Sequence, residues 1–293
     1  MPVQRSISTA FSLLLMISLM LLGTACNKSD RDEDREVLSA EENALAHHIY
    51  DDAFRQVHRF AMGDTLLNDT NITQQSLDQC FDRRNTGLSD TAAIFPLTLK
   101  MDWGEDTTRC FDNEVRYGVI RTVFTGKYLN KGSVYTLNFE GYRKDIYDVE
   151  GTLTITNLGL NSQGKRAYSF VLEDGRITGR NKDFTYSGTF VYVWASGSST
   201  ETDFTDDIFE VTEGFSTGKN TRGGVFTNEI TAPYVADFNC AHFIAGRSYM
   251  EVENLVPRTN NYGDDNFCDN VLISRRFNTY IDVEIPIMQR AAF

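Results

Sequence analysis

The sequence has few of the features that would assign it to a familiar class of enzyme. It contains no Gly-x-Ser-x-Gly nucleophile motif, phosphate-binding loop, dinucleotide fingerprint or HExxH zinc motif. Carboxylate pairs such as Asp206 and Asp207 are frequent in so acidic a chain, so they are weak indicators of a glycoside hydrolase. We therefore predict that the protein is not an enzyme, with a hydrolase as the less favoured alternative.

Positive charge and proline are both scarce. Against 41 Asp and Glu there are only 28 Lys and Arg, which gives a formal net charge of −13. Such a chain would be repelled by phosphates, which argues against a nucleic-acid partner. Only 5 prolines accompany 21 glycines and 12% aromatic residues, a composition that favours β structure with tight turns.

Long apolar runs are limited to one, from Phe11 to Leu22. Its twelve residues fall short of the about 20 that span a bilayer, and Arg5 precedes it without any acid, as in a secretory signal. The small residues 23–25 and then Cys26 resemble the lipobox of bacterial lipoproteins. We predict a signal peptide over residues 1–25 and acylation of Cys26, for instance by palmitate, which would attach the protein to a membrane. Simple secretion is the alternative.

Residues 26–38 form a polar segment that cannot bury a core and is predicted to be a solvated tether. Acid-rich tethers of this kind resemble the export signal of lipoproteins in Bacteroidetes. A plain hydrophilic spacer is the alternative interpretation. The expected localisation is therefore the outer membrane, on its periplasmic or cell-surface side.

Residues 39–63 have the pattern of a helix. Ser39 and Glu42 match a capping box at its start. Apolar residues then recur at helical spacing in one stripe, which predicts that this helix packs against another element. The stripe consists of Leu45, Ile49, Ala53, Val57, Phe60 and Ala61.

Residues 64–293 are predicted to form an all-β domain. From about Phe95 onward apolar and polar residues alternate, as in 149–158, and short turn signals such as 161–165 and 173–176 separate the runs. Short connections join antiparallel neighbours. We therefore expect an antiparallel meander of about ten to twelve strands, arranged as a twisted sheet, a sandwich or a partly closed barrel.

One predicted strand carries an aromatic face of five residues. These are Phe184, Tyr186, Phe190, Tyr192 and Trp194. If the face is buried, it belongs to the core, which is the favoured interpretation. If it is exposed, it would be a flat platform for stacking on sugar rings, and the protein would be a glycan-binding surface module. A glycan or a surface protein is accordingly an alternative partner.

The cysteines other than Cys26 are Cys80, Cys110, Cys240 and Cys268. In an oxidising compartment four cysteines indicate two disulfides, for which three connectivities are possible. The separations favour Cys80 with Cys110 and Cys240 with Cys268.

Two acidic segments echo each other, WGEDTTRCFDN at 103–113 and YGDDNFCDN at 262–270. The favoured interpretation is a strand-end turn next to a disulfide, with Gly104 or Gly263 supplying a positive φ. The alternative is a weak calcium site, because calcium prefers clustered carboxylate oxygens. Its ligands would be Asp264, Asp265 and Asp269, or Glu105, Asp106 and Asp112. No other cofactor is expected.

Three of the four histidines, His47, His48 and His58, lie on the predicted helix. His47 and His58 share a face with Asp51, which raises a metal hypothesis. Solvent-facing histidines are commoner, and no zinc-binding spacing supports it. We therefore expect surface histidines.

The ordered set of motifs resembles a family of uncharacterised β-rich lipoproteins from Bacteroidetes. It comprises the lipobox, the acidic tether, the paired aromatic-Gly and Cys segments, and the runs at 116–142, 149–170 and 222–231. The resemblance covers residues from about 75 to the C-terminus. It implies a secreted, lipid-anchored β-rich protein without an assigned activity. The segment 263–268 departs from the family's Gly-acid-Gly-Cys pattern.

Overall fold

The computed structural model describes most of the chain from Val37 onward. The described residues are 37–64, 67–68, 82–89, 92–105, 108–110, 114–200, 203–264, 267–277 and 282–287. The predicted signal peptide, the lipidated Cys26 and the tether up to residue 36 lie outside them. So do Cys80, Asp106, Asp112 and Asp265.

The predicted helix is present as α1, Leu38–Gly63. The predicted capping box at its start is wrong, because Val37 precedes the first turn and makes no side-chain cap. Ser39 lies inside the helix, where its hydroxyl accepts a hydrogen bond from Asn220 at 2.8 Å. The Glu42 carboxylate accepts from the backbone N–H and hydroxyl of Thr221 at 3.0 and 2.7 Å. Partners from the sheet have replaced the local cap.

Helix α1 is buried on nearly every side, not along one stripe. Apart from Leu38, Glu41 and Arg59, all of its residues are buried. Side chains or carbonyls from every strand between β4 and β10 contact it. A helix with polar residues on its outer turns is normally half-exposed. This one is enclosed, so its polar side chains must find partners inside the protein.

The described residues contain fourteen strands, and these form a single sheet. Their bounds are β1 Asp82–Ser89, β2 Ala92–Asp102, β3 Thr108–Arg109, β4 Val115–Phe124, β5 Val134–Lys144, β6 Tyr147–Leu160, β7 Arg166–Gly179, β8 Lys182–Ser196, β9 Ile208–Lys219, β10 Val225–Asp237, β11 Ala245–Val252, β12 Arg258–Asn261, β13 Val271–Arg276 and β14 Asp282–Pro286. A short 3-10 helix, Phe204–Asp206, lies between β8 and β9.

The strand order confirms the predicted antiparallel meander. Strands pair with their sequence neighbours from β1 to β14, except that β2 pairs directly with β4 and β3 lies beside β4 at the side. All pairs are antiparallel. Within the described residues the sheet is open, since no pairing joins β14 to β1. The all-β fold with one N-terminal helix is therefore confirmed.

Turn chemistry decides where the meander reverses and where it only bends. Between β7 and β8, Arg180 and Asn181 both have positive φ, the geometry of a two-residue hairpin. The turn predicted at 173–176 lies instead inside β7. There the pairing with β8 shifts between Leu172 and Gly175, and Asp174 takes a φ of 51°. An Asp-Gly pair therefore marks a bulge here, not a reversal.

The middle of α1 sits in a layer of aromatic rings. Phe54 is fully buried, and its ring centroid lies 4.9 Å from Phe170, 5.7 Å from Tyr192 and 5.2 Å from Phe209. All three contacts are edge-to-face, the arrangement that aromatic quadrupoles favour. This layer fixes the helix against β7, β8 and β9, and it positions the polar groups on either side.

Candidate functional site

The aromatic face of β8 belongs to the core. Its five residues, Phe184, Tyr186, Phe190, Tyr192 and Trp194, are between 1% and 7% exposed. Phe190 packs 4.6 Å from His47 of α1, and Tyr192 stacks 3.9 Å from Phe170 of β7. A sugar ring cannot stack on rings that other side chains already cover. The hypothesis of a glycan platform on this face is therefore corrected in favour of the core interpretation.

The cysteine predictions fit the described residues. Cys240 and Cys268 form a disulfide across 28 positions of sequence. Cys110 is also disulfide-bonded. Its predicted partner, Cys80, lies outside the described residues, so the pairing of Cys80 with Cys110 stays a prediction. The Cys240 disulfide ties the β10–β11 connection to the β12–β13 connection.

The calcium hypothesis stays a prediction, because Asp265, Asp106 and Asp112 lie outside the described residues. Asp264 is exposed and pairs with Arg247, while Asp269 accepts a hydrogen bond from the N–H of Val271 at 3.2 Å. Glu105 is exposed as well. Within the described chain no group of three or more His, Cys, Asp or Glu could hold a metal ion. The Gly263 and Gly104 turns do take positive φ, 106° and 76°, as the turn interpretation requires.

The expectation of surface histidines is wrong. All four, including His242 of the β10–β11 connection, are between 0% and 9% exposed. Burial lowers the pKa of His47 to about 3, since a charged imidazole would lose its hydration among the surrounding rings. These residues are therefore neutral parts of the interior at neutral pH.

A group of buried charged side chains, which we call the ionic cluster, lies inside the described part of the protein. It consists of Asp52 of α1, Glu114, Arg116 of β4 and Lys144 of β5. Arg116 binds Asp52 through both ends of its guanidinium fork, with Nε 2.9 Å from Oδ2. Lys144 Nζ lies 2.6 Å from Glu114 and 3.7 Å from Asp52. Two cations and two anions thus neutralise one another beneath the surface.

The electrostatics of the ionic cluster follow from this pairing. Burial alone would raise the pKa of Asp52, but the charges of Arg116 and Lys144 outweigh it and hold the pKa below its usual range. Asp52 is therefore a stable carboxylate. A buried carboxylate that is so firmly ionised is a poor proton donor or acceptor at neutral pH. It is suited to holding β4 and β5 against α1.

A histidine pair adjoins the ionic cluster. The rings of His48 and His242 lie 4.6 Å apart, and His48 Nδ1 is 2.8 Å from the carbonyl oxygen of Ala241. Burial and the nearby Lys144 lower the pKa of His48 to about 3. Burial and the neighbouring His48 lower that of His242 to about 2. The pair is therefore uncharged, as two cations this close would repel each other.

A second polar group, which we call the histidine relay, lies near the end of α1. His58 Nδ1 is 2.7 Å from the hydroxyl of Tyr128, and its Nε2 is 3.2 Å from Asp207 Oδ2. Trp194 Nε1 donates to the other oxygen of Asp207 at 2.8 Å. Burial lowers the pKa of His58, although hydrogen bonding to Asp207 opposes this.

The histidine relay has the order of a catalytic triad: hydroxyl, imidazole and carboxylate. Its accessibility rules out that role, because Tyr128 and His58 are 0% exposed and Asp207 is 1% exposed. Burial also raises the pKa of Tyr128 well above its usual value, so its hydroxyl stays protonated. The relay instead links α1 to the β4–β5 turn and to the connection that precedes β9.

Sequence reasoning missed Arg116 and Lys144, the two cations of the ionic cluster. A signal was present in β5, where Tyr142 and Lys144 are two positions apart and therefore share a face. Tyr142 is an inward residue, so a lysine beside it indicates a buried anion. That anion, Asp52, lies on a helix 64 residues before Arg116, so no local pattern could show its position.

Comparisons with family models, curated proteins and solved structures found no significant match to this chain.

Proposed function

We propose that the chain is a lipid-anchored protein of the outer membrane with a structural or binding role. Support for the anchor comes from the apolar run 11–22 and the small residues before Cys26. Support for an exported protein comes from the cysteines, since Cys240 pairs with Cys268 and stable disulfides belong to oxidising compartments. None of the helices in the described part of the chain has the length and apolar character of a membrane span.

The burial of the histidines is the main observation that supports a role without catalysis. General acid–base catalysis at neutral pH needs a titrating group within reach of the substrate. All four imidazoles are at most 9% exposed, and their pKa values are lowered. They contact rings, carbonyl groups and carboxylates of the protein itself. The residue types that sequence reasoning associates with chemistry are thus used to hold the fold.

The resemblance to uncharacterised Bacteroidetes lipoproteins also supports this proposal. Within it, the acid-rich residues 27–36 favour the cell-surface side over the periplasmic side. Partners would then be molecules outside the cell or neighbouring surface proteins. The negative net charge of the chain argues against nucleic acid among them.

Acylation of Cys26 is the direct test. Cells that express the full chain are fed an alkyne-labelled palmitate, and the purified protein is examined by gel fluorescence and by mass spectrometry of its N-terminal peptide. We expect the acyl mass on Cys26 and its loss in Cys26→Ala. A mature N-terminus without acyl groups, recovered in the soluble fraction, would overturn the anchor.

Protease treatment of intact cells separates the two sides of the membrane. A cell-surface protein is digested without lysis, whereas a periplasmic one is protected until the outer membrane is opened. We expect digestion for the native tether and protection when its five acidic residues are replaced by Asn and Gln. Equal digestion of both forms would show that the tether is only a spacer.

A further inference from the structure

The inner surface of the sheet changes character along the strand order. On β7, β8 and β9 it carries the aromatic rings that pack around the middle of α1. On β11, β12 and β13 it carries small polar side chains at matching positions, because Ser248 lies opposite Asn260 and Asn260 lies opposite Ser274. Directly opposed residues share a face of the sheet, and all three are at most 2% exposed. We call these three residues the polar row.

Two further polar side chains adjoin the polar row. Asn228 of β10 lies opposite Met250, which is two positions from Ser248 and therefore on the same face of β11. Tyr262 follows β12 and is two positions from Asn260. The two side chains are buried, at 1% and 4% exposed. Five polar side chains from four strand segments thus lie together in the interior.

Each of the two asparagines has a protein partner at only one end of its amide. Asn228 Nδ2 donates to the hydroxyl of Tyr234 at 3.5 Å, and Asn260 Nδ2 lies 3.8 Å from Met250 Sδ. The two amide oxygens have no hydrogen-bond partner in the described part of the chain. Exchanging the ends of an amide would leave its nitrogen unpaired instead. One polar atom of each asparagine therefore lacks a protein partner in either orientation.

Two hydroxyl groups of this region are in the same condition. Among the described residues, neither Ser274 Oγ nor the hydroxyl of Tyr262 has a hydrogen-bond partner. Ser248 differs from them, since its hydroxyl contacts the hydroxyl of Tyr234. Together with the two amide oxygens, four buried polar atoms on neighbouring strands are left unpaired by the described side chains.

Four unpaired atoms in one place would destabilise the fold. A buried donor or acceptor without a partner has lost its hydration and gained no hydrogen bond in return. The net stability of a folded protein is small, so four such losses would offset a large part of it. In folded proteins ordered water commonly supplies the missing partner of a buried polar group.

The chemistry of the four atoms restricts what their partner can be. An amide oxygen only accepts hydrogen bonds, so the partner must donate, whereas a hydroxyl can donate or accept. Arg258 and Arg276 lie opposite each other two positions from the polar row, but both are engaged by other groups. A water molecule both donates and accepts, and inside a protein it makes about three hydrogen bonds. Water therefore fits amide oxygens and hydroxyls alike.

We propose that ordered water molecules are bound inside the fold along the polar row. They donate hydrogen bonds to the amide oxygens of Asn228 and Asn260, and they complete the hydrogen bonds of Ser274 and Tyr262. On β7, β8 and β9 aromatic rings fill the corresponding part of the interior. On β10 to β13 the bound water is the partner of the polar side chains, as carboxylates are the partners of the cations in the ionic cluster.

Oxygen-17 relaxation dispersion of the solvent tests this proposal, because it detects water molecules that stay in the protein far longer than surface water does. The variant Asn260→Leu with Ser274→Val removes two of the side chains that bind the water. We expect the amplitude of the dispersion to fall relative to the native full chain. The control, Thr154→Val, removes a hydroxyl from the outer face of β6 and should leave the amplitude unchanged. A folded double variant with the native amplitude would overturn the proposal.

A second measurement needs only the native chain, so it decides the question if the double variant does not fold. Nuclear Overhauser effects from water are measured to the methyl groups of Met250, which contacts Asn260, and of Leu153. Leu153 is the matched control, because it is 2% exposed and its cross-strand neighbours are Leu137 and Leu172. We expect an effect at Met250 and none at Leu153. No effect at Met250, or equal effects at both residues, would contradict the presence of water along the polar row.

Discussion

Two Arg–Asp ion pairs with similar geometry lie on opposite faces of the sheet. Inside, Arg116 holds Asp52 with both ends of its guanidinium group, with both side chains almost fully buried. Outside, Arg176 holds Asp183 in the same bidentate manner, at 2.8 and 2.9 Å, with side chains about half exposed. The inner pair has given up its hydration, whereas the outer pair keeps most of it.

This difference in burial indicates how much each ion pair contributes to the stability of the fold. Removing one partner of a buried pair leaves an uncompensated charge, whereas exposed pairs contribute little because water and salt screen them. The buried ion pair therefore fixes the position of α1. The exposed pair adds little stability to a sheet that is already formed. The following experiments test this contrast, in order of expected effect.

The largest effect is expected from Asp52→Ala. It leaves Arg116 without its carboxylate and Lys144 with Glu114 alone, so the free energy of unfolding should fall by about 3 to 5 kcal/mol. Chemical denaturation of the protein measures it. A loss below that of an ordinary surface substitution would show that the ionic cluster does not hold the helix.

A smaller effect is expected at the histidine relay. Asp207→Ala leaves the N–H of Trp194 and the imidazole of His58 without their acceptor, which costs about 1 to 3 kcal/mol. Denaturation with Trp194 fluorescence as the probe measures both the stability and the local change. An unchanged stability would mean that water replaces the carboxylate, and that the site is more open than its burial indicates.

The buried histidines predict a dependence of stability on pH. Their pKa values are lower in the folded protein than the about 6.5 of an unfolded chain, so the unfolded state binds more protons at acidic pH. This contribution is complete above pH 6.5 and is lost as the pH falls towards 3. Each histidine adds a slope of about 1.4 kcal/mol per pH unit inside that window.

Other buried groups change the free energy of unfolding with pH in the opposite direction. A variant of a single histidine is therefore needed to isolate the histidine contribution. Burial raises the pKa of Asp51 and of Glu42, which gives the opposite sign above pH 4. His48 faces Lys144, Asp52, Arg55 and His242, and His48→Gln leaves all four residues in place. We expect the variant to flatten the stability curve between pH 6.5 and 5 by the slope of one histidine. An unchanged slope would show that His48 titrates normally.

The smallest effect on stability is expected at the exposed ion pair. Asp183→Ala removes the carboxylate of an exposed pair, and we expect no measurable change in the denaturation midpoint. It serves as the matched control for Asp52→Ala, because both substitutions remove an aspartate from a bidentate arginine. Comparable losses in the two variants would erase the contrast between the faces.

Alternation along the chain was sufficient to predict the meander and the burial of the aromatic face of β8. Apart from β3, each strand's neighbours in sequence are also its neighbours in the sheet, so local patterns specified the topology. The bulge in β7 was mistaken for a turn because Asp-Gly favours positive φ in both. Only the pairing with β8 distinguishes them.

The enclosure of α1 could not be predicted, since it depends on contacts between distant residues. The sequence predicts His47 and His58 at the surface, because it shows only one apolar stripe. Their partners, Phe190 and Asp207, come from β8 and from the connection before β9, more than 140 positions later. Helical spacing identifies neighbours on the helix but not the strands that cover its polar face.

The central claim is that the histidine side chains of this protein are buried and neutral. The protonation state of the four imidazoles tests this claim most directly. Two-dimensional NMR of histidine ring signals, followed from pH 8 to the onset of acid unfolding, resolves each residue with single His→Gln variants for assignment. The account predicts that no imidazole titrates near pH 6.5 while the protein stays folded. A folded protein in which His48, His58 or His242 titrates normally would contradict it and would reopen the search for a catalytic histidine.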